Sequence, residues 1–113
     1  MNKEKLRSDV IEISKFKHNW DSYGAESFTK EIINEVNVVI DCLDDKFPES
    51  CIVPSCVGIQ LEWDNGEKAL EISVEDDDVL YLKVIGEDVE NWIEGQISDY
   101  DEINEMLGWL YEE

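Results

Sequence analysis

Residues 57–85 read VGIQLEWDNGEKALEISVEDDDVLYLKVI, and their alternation decides the fold. Over 57–63, Ile59, Leu61 and Trp63 fall on one side and Gln60 and Glu62 on the other. Asp64-Asn65-Gly66 is a turn signal. Over 69–75, Leu70, Ile72 and Val74 alternate with Glu71, Ser73 and Glu75. Asp76-Asp77-Asp78 turns the chain again, and 79–85 is a third run, apolar on both faces apart from Lys83. A period of two specifies strands with one buried face. Links this short join them as antiparallel hairpins. Residues 89–97 (VENWIEGQI) offer a fourth strand, with Val89, Ile93 and Ile97 in phase and Glu90, Trp92 and Glu94 opposite. Gly95 weakens it.

Helical spacing flanks these strands. Leu6, Val10, Ile13 and Phe16, with Trp20 at the margin, share one stripe, which predicts a helix over roughly 3–18. It should stop near Asn19, because Asp21-Ser22-Tyr23-Gly24 is turn chemistry. A second helix starts after Thr29, a capping residue with Phe28 and Ile33 at staple positions. Ile32, Ile33, Val36, Val39, Ile40 and Leu43 mark its apolar face, and residues 44–48 end it before Pro48. A last helix follows Asp99, where Glu102 completes capping-box spacing, with Ile103, Met106, Leu107 and Leu110 inward. The expected fold is α+β, in the order α-α-β-β-β-(β)-α. It is an antiparallel meander of three to four strands with helices packed on one face.

The 113 residues suit one domain spanning 1–113, with enough buried surface to need no metal or disulfide staple. Nine basic and 29 acidic residues give a net charge of −20. Four Trp, four Tyr and three Phe set the chain apart from a disordered acidic tail. A charge of this sign argues against direct binding to nucleic acid or an anionic membrane and favours a basic partner. The N-terminus has no apolar run of signal-peptide type, and no apolar stretch is long enough to span a bilayer. An odd set of cysteines (Cys42, Cys51, Cys56) fits a reducing cytoplasm better than a disulfide framework. The expected location is therefore cytoplasmic, that of the host if the chain is phage-encoded.

Catalytic constellations are scarce. The single histidine, His18, has no partner at motif spacing, and nucleophile-elbow, P-loop, dinucleotide and zincin motifs are absent. The cysteine and histidine spacings match no zinc knuckle, so the cysteines read as small buried hydrophobes. Asp76-Asp77-Asp78 lacks the pattern of a calcium loop and reads as a solvated turn. No catalytic residue, metal or cofactor is assigned.

The segment Trp20-Asp21-Ser22-Tyr23-Gly24-Ala25-Glu26 resembles a W-D-x-Y-G-A-E signature found in small uncharacterised bacterial and phage proteins. Those proteins similarly follow it with a helix, a G-x-x-L-E-W-like strand (here Gly58 to Trp63) and an L-E-I-x-V-like strand (Leu70 to Val74). The resemblance implies a shared fold and carries no activity. By residue type alone, Trp20 and Tyr23 in this loop read as core plugs, with a ligand-binding loop as the alternative.

Charge is unevenly spread. Residues 1–50 hold seven basic and eleven acidic groups, and residues 51–113 hold two basic (Lys68, Lys83) and eighteen acidic. On a meander, Glu62, Glu71 and Glu75 project away from the helices, joined by Glu90 and Glu94 if the fourth strand forms. The loops add Asp64, Glu67, Asp76, Asp77, Asp78, Glu87 and Asp88. Trp92, with part of Val79, Tyr81 or Ile85, would supply apolar anchors. Like charges set this close oppose folding. A solubility device would act on the whole surface, whereas here seven of the nine bases lie in the first 50 residues. The expectation is a non-enzymatic mimic of nucleic acid that blocks a basic, nucleic-acid-binding protein. An inhibitor of a defence nuclease, anti-CRISPR or anti-restriction in type, fits this. So does an antitoxin or immunity protein of a basic nuclease toxin. The alternatives are a structural module, including a homodimer joined through edge strands, and a small carboxylate enzyme using Mg²⁺ or Ca²⁺.

Overall fold

A computed structural model describes residues 1–15 and 28–112 of the chain. The Asn2 side chain accepts the Lys5 N–H at 3.1 Å and starts helix α1, Lys3–Ser14, whose buried side carries Leu6, Val10 and Ile13. Phe16, His18, Trp20 and the rest of the signature segment lie outside the described residues. Thr29 caps helix α2, Lys30–Cys42, by accepting the Ile32 N–H at 3.2 Å, and Ile32, Val36, Val39 and Ile40 are buried.

Five strands follow: β1 (Cys51–Pro54), β2 (Gly58–Asn65), β3 (Lys68–Glu75), β4 (Val79–Ile85) and β5 (Ile93–Gln96). They form one antiparallel sheet in the order β1-β2-β3-β4-β5, so the meander holds, with five strands. The added strand is β1. It is too short for alternation to mark it, and it ends at Pro54, which only an edge strand tolerates. The segment 89–97 divides. Val89–Asn91 form one 3-10 turn, with the Asp88 side chain accepting the Glu90 N–H at 3.1 Å, and pairing begins only at Ile93. Gly95 lies opposite Tyr81, and a Cβ there would fall 2.8 Å from the Tyr81 hydroxyl. The glycine lets the tyrosine ring cross the edge strand.

Helix α3, Asp101–Leu110, closes the chain. The Glu102 carboxylate reaches back to the N–H groups of Ser98 and Asp99, at 3.2 and 3.4 Å. The Asp99 side chain accepts the Asp101 N–H at 3.0 Å, while the Glu102 N–H donates to the Asp99 carbonyl at 3.0 Å, so only the Glu102 half of the expected capping box forms and Tyr100 starts the helix without a side-chain cap. Asn104 of α3 ties down the end of α2. Its Oδ1 accepts the Asp44 N–H and its Nδ2 donates to the Cys42 carbonyl, both at 2.8 Å.

The buried side chains come from the three helices, the connecting segments and one face of the sheet: Ile59, Leu61, Trp63, Leu70, Ile72, Val74 and Val79. All three helices therefore pack on that face. No described α-helix packs on the other.

Candidate docking face

Cross-strand partners share a face of a sheet, so pairing register assigns every strand side chain to one side or the other. The β3–β4 hairpin is tight, with the Glu75 N–H donating to the Asp78 carbonyl at 2.9 Å. Val74 then pairs with Val79, Ile72 with Tyr81 and Leu70 with Lys83. Because Leu70, Ile72 and Val74 face the helices, so do Val79, Tyr81, Lys83 and Ile85. The expected placement of Val79, Tyr81 and Ile85 among the outward acids is thus corrected. The outward residues of β4 are Leu80, Leu82 and Val84, each half-buried. The hairpin register was the missed signal. Lys83 misled because a lone lysine in an apolar run ordinarily marks the solvent side.

Carboxylates flank that aliphatic stripe. One row of partners crosses four strands as Glu62, Glu71, Leu82 and Glu94. The next row toward the hairpin runs Gln60, Ser73, Leu80 and Gln96. On the other side Asp64, Ala69 and Val84 align. Glu75 shares the outward face, where its carboxylate accepts the Ser73 hydroxyl at 3.0 Å. Glu62, Glu71, Glu75 and Glu94 therefore do lie together. Glu90 does not join them, since it sits in the 3-10 turn.

Glu62 and Glu71 face each other directly. Burial pushes the Glu71 carboxyl above its ordinary value, and the Glu62 charge adds to that rise. The folded chain holds this proton more tightly than the unfolded chain. Stability is lost as pH climbs from the ordinary 4.5 through the raised value, and the penalty is complete above that window. Glu71→Gln should therefore be more stable than the parent at neutral pH, by roughly 0.2–1 kcal/mol as for cross-strand like charges. The difference should close below pH 4.5, as thermal melts on both sides of the window would show.

The two ends of the sheet extend the acidic surface. At one end Asp76, Asp77 and Asp78 are exposed at the hairpin tip, and Asp78 accepts from the Gln96 amide. This tip stands between two open clefts of about 660 and 540 Å³. The larger also gathers Glu31, Glu35, Asp99 and Asp101, which the sequence reading did not connect because α2 and the α3 entry are distant in the chain. Among the described residues no three His, Cys, Asp or Glu side chains converge as metal ligands. At the other end lie Asp64, Glu67, Glu87, Asp88 and Glu90. The seven residue steps of β3 separate the ends by roughly 24 Å. Trp92 stands at this second end, half-buried, its indole N–H donating to the Gly86 carbonyl at 3.3 Å.

Seven of the eight described cationic side chains are engaged elsewhere, and the eighth, Lys30, is exposed at the start of α2. Lys3 pairs with Asp45, Lys5 with Asp9, Arg7 with Asp41, Lys15 with Glu12 and Lys46 with Asp44, all within the first half of the chain. Lys68 and Lys83 turn to the helix side and stack on the Trp109 ring, at 5.0 and 5.1 Å from its centroid. Lys68 also donates to the Trp109 carbonyl at 3.2 Å, near the negative end of α3. Among the described residues no carboxylate beyond residue 50 has an ion-pair partner.

Cys42, Cys51 and Cys56 are free and exposed, which corrects their reading as buried hydrophobes. Cys42 and Cys51 close an outer helix turn and open an edge strand, and Cys56 sits in the Ser55–Gly58 turn. None of these positions faces the core. Among the described residues no helix is long and apolar enough to cross a membrane. No family model, curated protein or solved structure matches the chain.

Proposed function

We propose that this chain is a non-catalytic acidic protein that docks its open sheet face and adjoining loops on a basic, nucleic-acid-binding protein and excludes DNA or RNA from it. The observation that carries this reading is the segregation of charge. Both lysines of the second half are withdrawn to Trp109, while among the described residues the carboxylates at the two ends and across the open face have no ion-pair partner. The nearest carboxylates on this face, Glu62 opposite Glu71 at about 4.8 Å and Glu62 two residues from Asp64 at about 6.6 Å, are spaced on the order of phosphates along a nucleic-acid strand. An unneutralised field of this kind gives fast, salt-sensitive association with a cationic groove. An inhibitor of a host defence nuclease, of anti-CRISPR or anti-restriction type, suits the size and charge. An immunity protein covering a basic nuclease toxin is a second form of the same reading.

The test immobilises the intact chain, captures partners from a lysate of its native host at low salt, and challenges them with duplex DNA or RNA. Captured nucleic-acid-binding proteins should be released by excess polynucleotide and by moderate salt. Capture that neither polynucleotide nor salt reverses would contradict the proposal, as would no capture of any basic protein.

A further inference from the structure

The outward face is not purely anionic, and a plain copy of a phosphate ribbon has no use for the aliphatic stripe along β4. Leu80, Leu82 and Val84 are half-buried although no described α-helix packs over them. We propose that the occupant of this face is a basic amphipathic helix of the partner protein. It lies along β4 with its apolar side on Leu80, Leu82 and Val84 and its cationic flanks against Glu71 and Glu94. This rests on the docking reading above and names the partner element that the site takes.

Two dimensions support it. Leu80 to Val84 is four residue steps, roughly 13 Å, which spans about nine helical residues and accommodates anchors at i, i+4 and i+7. Glu71 and Glu94 flank Leu82 on β3 and β5, two strand spacings or roughly 10 Å apart, close to the body of one helix. Lysines or arginines on either margin of an apolar helix stripe would then meet carboxylates on both sides, the helix-in-groove mode on a flat support. Charge excludes two other occupants. A nucleic acid would face like charge. A second copy seated face to face would set Glu62, Glu71 and Glu94 against their own equivalents.

The probes are a leucine-and-lysine peptide with an amphipathic helical pattern, a scrambled peptide of the same composition, and short poly-lysine. The amphipathic peptide should bind more tightly than the scrambled one and gain helicity on binding, seen by circular dichroism. Leu80→Thr with Leu82→Thr keeps strand-favouring side chains while removing apolar surface. This variant should lose roughly tenfold in affinity for the amphipathic peptide and keep its affinity for poly-lysine. Equal binding of the two peptides, or binding without helix gain, would overturn the helix proposal and leave the charge reading standing. The helix-gain measurement uses the parent chain, so it decides even if the double variant does not fold. Absence of binding by any of the three cationic probes at low salt would instead defeat the docking reading. A dimer in sedimentation that the double variant abolishes would assign the face to a second copy and overturn the inference.

Discussion

Neutralising Glu62, Glu71, Glu94, Asp76, Asp77 and Asp78 as Gln or Asn should weaken binding to a basic partner, or to short poly-lysine, by about 100-fold at low salt. Six partly exposed charge contacts at about 0.5 kcal/mol each sum to roughly 3 kcal/mol, which corresponds to that factor. The variant should fold at least as well as the parent. It removes the Glu62–Glu71 opposition and the crowding at the hairpin tip, and both oppose folding. Loss of binding together with a raised melting temperature is the signature of carboxylates held for a partner rather than for the fold. The loss should shrink as salt rises, because screening removes the same contacts from the parent.

The second large effect is on stability. Ile72 is fully buried on the central strand, between Leu61 of β2 and Tyr81 of β4, beneath the helix layer. Ile72→Ala should cost roughly 2–5 kcal/mol, since a cavity between two packed layers closes poorly. For a domain whose total stability is of the order of 5–15 kcal/mol, that is a large share. Chemical denaturation would measure it. Gln60→Thr, on the open face of the neighbouring strand, should shift stability by only about 0.5 kcal/mol. Comparable losses at the two positions would contradict the assignment of the sheet's faces.

Much of this fold was legible because its central elements obey simple periods. The runs through Leu61 and Ile72 alternate cleanly, so their inward faces are legible in the sequence itself. Thr29 and Glu102 announced their helices through capping chemistry. The failures have local physical causes. Cys51–Pro54 is four residues long, and a strand that short carries no readable period. The fourth run breaks at Asn91 because a 3-10 turn resets its phase, which takes Val89 and Glu90 off the sheet. The third run is apolar on both sides, so composition could not choose its inward face. The choice lay in how tightly the acidic turn closes, and Lys83 disguised it by reaching Trp109. The acids of the candidate site were therefore legible as strand positions, whereas the aliphatic stripe between them was not. Glu31, Glu35, Asp99 and Asp101 join the hairpin tip only through tertiary packing, which no local pattern records.

The decisive measurement separates charge pattern from charge total. The six-residue variant above carries −14, since −20 + 6 = −14. A matched variant at Glu4, Asp9, Glu12, Asp41, Asp44 and Asp45, again as Gln or Asn, carries the same −14 with its changes confined to the first half of the chain. Titrating both against the same basic partner or poly-lysine at one salt concentration compares them directly. A loss of about 100-fold for the sheet-face variant, with less than about tenfold for the matched one, is the predicted result. Equal losses would show that the partner senses only net charge, and the open face would have no special role.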